Sequence, residues 1–136
     1  MPTLTRWFIK SAMLYLLAAL LLSIALQPQF RDELPFLAAV WPTYLHLLVL
    51  GWLTQLIFGV ALWLFPKHSA ARPRGDERLG WASFFLLNVG LALRAIAEPS
   101  HALGHRVGAL LLVAAVAQLL AGWAFVLNTW PRVRER

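Results

Sequence analysis

Four long apolar runs constrain the fold of this chain more than any other feature. Each run holds about 20 mainly apolar residues, the length that an α-helix needs to cross the hydrocarbon core of a bilayer. The runs cover residues 7–26, 43–65, 79–97 and 102–127. Because a membrane helix satisfies its backbone hydrogen bonds within itself, the pattern predicts an all-α integral membrane protein. We expect one transmembrane domain over residues 1–136, folded as an up-down-up-down four-helix bundle.

The composition agrees with this class and excludes others. Of the 136 residues, 60% are hydrophobic and 13% are charged, whereas soluble domains carry about 25% charged residues. The chain is too apolar to be intrinsically disordered, because disorder needs low hydrophobicity and high charge. The absence of cysteine excludes disulfides, iron–sulfur clusters and cysteine nucleophiles. Although the formal net charge is +6, the apolar runs indicate a lipid bilayer rather than nucleic acid as the partner.

The basic residues predict the orientation, since cytoplasmic loops carry an excess of Lys and Arg. Nine of the twelve fall on one side: near the start of the first run, between residues 67 and 78, and between residues 132 and 136. Both termini are therefore expected to be cytoplasmic, in a multi-pass protein of the inner membrane. Alternatively, the first run belongs to a cleavable signal peptide. Its apolar stretch is longer than the usual core of about 7–15 residues, and cleavage would leave three spans.

Polar side chains inside the runs are candidates for function, because they are costly in a bilayer. Lys10 is expected to extend its ammonium group to the membrane interface. Arg94 and Glu98 are four residues apart, so an ion pair within one helix is the simpler interpretation of both. Three amides are expected to join helices through hydrogen bonds: Gln55, Asn88 and Gln118.

Three histidines lie at the predicted outer ends of the second and fourth helices: His46, His101 and His105. Pro99 is expected to open the fourth helix, which places His105 at a depth similar to that of His46. These two helices are diagonal neighbours in an up-down-up-down bundle. Two imidazoles facing each other there would leave room for a haem iron, with His46 and His105 as axial ligands and His101 as the alternative to His105.

A copper or zinc site is a second possibility for the same histidines. His101 and His105 are predicted at positions i and i+4 of one helical face, a spacing that can chelate a metal. Two ligands without a third are weak support, so copper is less favoured than haem.

A helical wheel separates two faces of the second helix. At 100° per residue, the face below His46 is aliphatic, with Leu50, Leu53, Ile57, Val60 and Leu64. The opposite face carries Gly51, Gln55 and Gly59, and its small glycines permit close packing against another helix.

The second run also carries a family pattern. His46, Gly51-Trp52, Gly59 and Pro66 form the motif H-x4-G-W-x6-G-x6-P. It resembles the histidine-bearing second helix of the haem–copper oxidase subunit I superfamily, and is most similar to the NnrS family, membrane haem proteins associated with nitric oxide metabolism. In that superfamily the histidine ligates a low-spin haem near the outer end of the helix. The resemblance implies that His46 is an axial ligand of haem b.

The chain departs from the family pattern in two ways. It has far fewer spans, and it lacks the later histidines that hold copper and a high-spin haem. We therefore expect no oxygen reduction and no enzymatic activity of its own. The family's second low-spin ligand lies on a later helix that this chain does not have, so the choice of His105 comes from this sequence alone.

The resulting prediction is a b-type haem-binding membrane protein in electron transfer or nitric oxide handling, with one haem b per chain. Arg94 and Arg106 are expected to pair with the haem propionates, and Tyr44 and Trp52 to line the ring. The alternative is a non-catalytic accessory subunit or assembly factor of a respiratory or denitrification complex. A homodimer or membership of a larger respiratory complex is compatible with both.

Overall fold

The computed structural model describes residues 1–66 and 75–133. Within these residues the regular structure is helical, with no β-strand. Four helices are long and apolar enough to cross a membrane: Thr3–Ala25, Phe36–Leu64, Glu77–Ala102 and Gly108–Arg132. We call them the first to fourth spans. The predicted all-α bundle of four membrane helices is thereby confirmed.

The spans alternate in direction, so the bundle has two different ends. We call the end with Thr3 and Arg132 the basic end. There the second span ends beside the last residues of the fourth, and Arg132 hydrogen-bonds to carbonyl groups near Leu64. We call the opposite end, which carries His46 and His101, the histidine end. There a short helix, Pro28–Glu33, leads from the first span towards the second. Five of the nine basic residues that predict the orientation lie outside the described residues: Lys67, Arg72, Arg74, Arg134 and Arg136.

The boundary between the third and fourth spans differs from the sequence prediction. Pro99 lies inside the third span and does not open the fourth. The third span ends in a Schellman motif, in which Gly104 has a φ of 89° and its N–H donates to the His101 carbonyl. The next N–H, of His105, donates to the Ser100 carbonyl. Glycine adopts this left-handed conformation without a steric penalty, and therefore the helix stops here rather than before Pro99.

The second span contains three helical forms. A 3-10 helix covers Pro35–Val40, and an α-helix over Trp41–His46 comes after it. A π-helix covers Leu47–Thr54, and an α-helix resumes over Gln55–Leu64. A π-helix closes wider turns than an α-helix and is rare at this length. The turn of 100° per residue assumed in the helical wheel therefore does not apply over Leu47–Thr54.

Close packing of the first and second spans depends on two glycines. A Cβ atom on Gly51 would lie 2.7 Å from Cγ of Tyr15, and one on Gly59 would lie 2.8 Å from Cβ of Phe8. Both glycines and Gln55 are buried, which confirms the predicted packing face. On the aliphatic face, large side chains are exposed at the bundle surface rather than directed at the fourth span, among them Leu53, Ile57 and Leu64.

Aromatic and aliphatic side chains form the core towards the basic end. Its buried members come from all four spans: Phe8, Leu62, Phe84, Leu87, Leu91 and Ala121. Phe58 and Phe125 stack with ring centroids 3.8 Å apart, which joins the second span to the fourth. The core therefore holds the two halves of the bundle together below the polar groups of the histidine end.

Arg132 closes the basic end of the bundle. The residue is 2% exposed, and its guanidinium donates to the carbonyl groups of Leu62, Phe65 and Pro66 at distances of 3.2, 2.8 and 2.9 Å. These carbonyls end the second span and have no partner within the helix, so a guanidinium satisfies them and complements the helix dipole.

We expect Arg132→Ala to lower the free energy of unfolding by about 2–3 kcal/mol, because hydrogen bonds from a charged group are lost and carbonyls stay buried. Unfolding in mixed detergent micelles measures the change. Arg31→Ala, which removes an exposed arginine from the short helix, is the control and should have little effect. Equal stability of the two variants would contradict the proposed closure.

Candidate functional site

A buried carboxylate organises the histidine end. Glu98 lies in the last turns of the third span, and its side chain is 7% exposed. Its Oε2 accepts from the Thr43 hydroxyl at 3.0 Å. Its Oε1 lies 2.9 Å from Nδ1 of His46 and accepts from Nη1 of Arg94 at 3.0 Å. A buried carboxylate is costly unless it is paired and hydrogen-bonded, and here both oxygens have partners.

The cluster extends from the second span to the fourth. Nε of Arg94 donates to Oε1 of Gln118 at 2.8 Å, so the guanidinium is held between the carboxylate and an amide. We call Thr43, His46, Arg94, Glu98 and Gln118 the Glu98 cluster. The ion pair of Arg94 and Glu98, which sequence spacing favoured, is present. The amide role predicted for Gln118 is also confirmed.

The ring of His46 is fixed on one side. Its Nδ1 lies 2.9 Å from the Pro42 carbonyl oxygen and 2.9 Å from Oε1 of Glu98. Both neighbours accept hydrogen bonds, so the neutral ring carries its proton on Nδ1 and leaves a lone pair on Nε2. Nε2 makes no hydrogen bond to any of the described residues, and the side chain is 31% exposed. This nitrogen can therefore accept a metal or a proton donor from outside the cluster.

A second polar network lies deeper in the bundle. The Tyr15 hydroxyl donates to Oδ1 of Asn88 at 2.9 Å, and Nδ2 of Asn88 donates to Oε1 of Gln55 at 2.7 Å. Gln55 in turn donates to the Gly51 carbonyl inside the π-helix. The network joins the first three spans, as predicted for Gln55 and Asn88. It consists of neutral groups that satisfy one another, which is typical of structural contacts between membrane helices.

The other predicted ligands lie outside the cluster. His101 is exposed in the last turn of the third span, and His105 is exposed in the loop before the fourth. They do not share one helical face, so that premise of the copper or zinc alternative is wrong. Arg106 is exposed in the same loop. The part of the chain that the structure describes contains no group of three or more His, Asp or Glu side chains placed to hold a metal ion.

The predicted ring-lining residues are on the second span. Tyr44 is half-buried two residues before His46 and lies beside Trp41, with ring centroids 5.4 Å apart. Trp52 is half-buried within the π-helix. Both remain predicted contacts of the haem.

Sequence reasoning missed two features of the site. The first is the contact of Glu98 with His46 and Thr43, although the outer positions of Glu98 and His46 in neighbouring spans pointed towards it. The second is the π-helix that starts directly after His46. Its residues, Leu-Leu-Val-Leu-Gly-Trp-Leu-Thr, carry no signal that distinguishes it from an α-helix.

Comparisons with protein-family models, curated proteins and solved structures find no match to this chain.

Proposed function

We propose that the chain is a b-type haem-binding membrane protein in electron transfer, with His46 as one axial ligand of the iron. The observation that carries the proposal is the position of Nδ1 of His46, which lies 2.9 Å from each of two acceptor oxygens and is thereby expected to carry the ring proton. Histidines that bind metals almost always donate their other ring N–H to a carboxylate or a backbone carbonyl. His46 donates to one of each, Glu98 and Pro42.

The surroundings of His46 fit an apolar, anionic cofactor. Exposed aliphatic side chains continue along the second span, among them Leu53 and Ile57, and supply apolar surface. Nε2 of Gln118 is buried without a hydrogen-bond partner among the described residues and lies beside Arg94, so a donor is available for a propionate. Arg106 is exposed at the same end and supplies a second positive charge.

The second axial ligand is proposed to come from the turn that carries His101 and His105. Both lie at the histidine end, and His101 follows Glu98 by three residues on one helix, which places their Cβ atoms about 5–6 Å apart. When bound, haem supplies one-electron transfer at a potential that the axial ligands and their surroundings set. The role in nitric oxide handling rests on the resemblance of the His46 motif.

The test is the haem content of the purified protein. We expect about one haem b per chain after expression in haem-replete cells, with the absorption spectrum of a six-coordinate low-spin iron. A colourless preparation would contradict the proposal. Size-exclusion chromatography of the same preparation distinguishes this proposal from the alternative of an accessory subunit. An accessory subunit would elute with a larger complex and without its own haem.

A further inference from the structure

We propose that Glu98 and Arg94 are positioning residues that act through His46 in opposite directions and set the redox potential of the iron. This inference rests on the proposed function, because it concerns the haem that His46 would bind. The observation behind it is a shared oxygen: Oε1 of Glu98 contacts both Nδ1 of His46, at 2.9 Å, and Nη1 of Arg94, at 3.0 Å.

The first step concerns His46 and Glu98. A carboxylate that accepts the Nδ1–H proton increases the negative charge of the imidazole ring and the basicity of Nε2. A more basic ligand stabilises the oxidised iron over the reduced iron and so lowers the midpoint potential. Since the Glu98 side chain is 7% exposed, solvent and salt screen this interaction only weakly.

The second step concerns Arg94. Its guanidinium withdraws negative charge from the same oxygen and so weakens the effect of Glu98 on the ring. Gln118 fixes the guanidinium through Nε at 2.8 Å, and the Arg94 side chain is 20% exposed. Arg94 is therefore expected to raise the midpoint potential of the iron, whereas Glu98 is expected to lower it. The Thr43 hydroxyl binds the other oxygen of Glu98 and leaves the shared oxygen to His46 and Arg94.

The opposite signs give a test that a purely structural role would fail. We expect Glu98→Gln to raise the midpoint potential and Arg94→Gln to lower it. In each case the ratio of oxidised to reduced iron at a fixed applied potential should change at least tenfold, or about 59 mV for one electron. Glu33→Gln removes an exposed carboxylate at the same end and should leave the potential unchanged. Shifts of the two cluster variants in the same direction, or shifts no larger than in Glu33→Gln, would overturn the inference.

A measurement without haem distinguishes this inference from the proposed function. In the haem-free protein, NMR of the His46 Nδ1 proton reports the strength of its hydrogen bond. We expect its resonance to move upfield in Glu98→Gln and to stay in place in Glu33→Gln. An unmoved resonance in both would overturn the role of Glu98, even in a protein that binds haem. A moved resonance in a protein that takes up no haem would support the polarisation of His46 and refute the proposed function.

Discussion

Glu98→Ala is expected to lower the free energy of unfolding by about 3–5 kcal/mol, the range for removing one partner of a buried ion pair. The substitution leaves Arg94 without its carboxylate and removes the acceptor of the Thr43 hydroxyl. These groups belong to the second and third spans, so their contact at the histidine end is lost. Equilibrium unfolding in mixed detergent micelles, compared with the wild type, measures the effect.

Two further variants control for this result. Glu33→Ala removes an exposed glutamate from the short helix and should change stability by less than about 0.5 kcal/mol. The double variant Glu98→Ala/Arg94→Leu should recover part of the loss, because it leaves no uncompensated buried charge. In the opposite outcome, the stability losses of Glu98→Ala and Arg94→Leu, each measured alone, would add up in the double variant. The two side chains would then be uncoupled, and the ion pair would not stabilise the bundle.

Removal of the proposed axial ligands is expected to abolish the six-coordinate low-spin haem. His46→Ala removes the imidazole whose tautomer the cluster fixes, and no other described histidine is held in this way. The double variant His101→Ala/His105→Ala removes both candidates for the second ligand and should leave a five-coordinate iron or none. The two single variants then identify which of the two histidines is the ligand.

The bundle itself should persist in all of these histidine variants. The four spans owe their insertion to apolar length, and the imidazoles removed in these variants contribute little to it. A low-spin spectrum that survives in His101→Ala/His105→Ala would mean that the second ligand comes from outside this turn, and it would refute that part of the proposal.

The four spans could be predicted from the sequence because length and hydropathy determine which segments can cross a bilayer. The end of the third span could not, because two signals competed there. Pro99 suggested a helix start, whereas Gly104 marked a helix end five residues later. A proline can sit inside a long helix when packing holds that helix together, and the glycine decided the boundary.

The residues of the candidate site could be predicted from the sequence, but their contacts with one another could not. His46 was identified from its motif, and Arg94, Glu98 and Gln118 were recognised as polar groups in apolar spans. Their convergence depends on the rotation of each span, and rotation depends on packing that periodicity does not encode. The arrangement of His46 and His105 was drawn from two ideal α-helices, whereas a π-helix follows His46 and His105 lies in the loop before the fourth span.

The most direct test of the central claim is the reduced-minus-oxidised absorption spectrum of the wild type beside His46→Ala. The proposal predicts the sharp α-band of a six-coordinate low-spin haem b in the wild type and its loss in His46→Ala. An α-band of equal height and position in His46→Ala would contradict His46 as a ligand. A wild-type protein without any haem band would contradict the proposed function altogether.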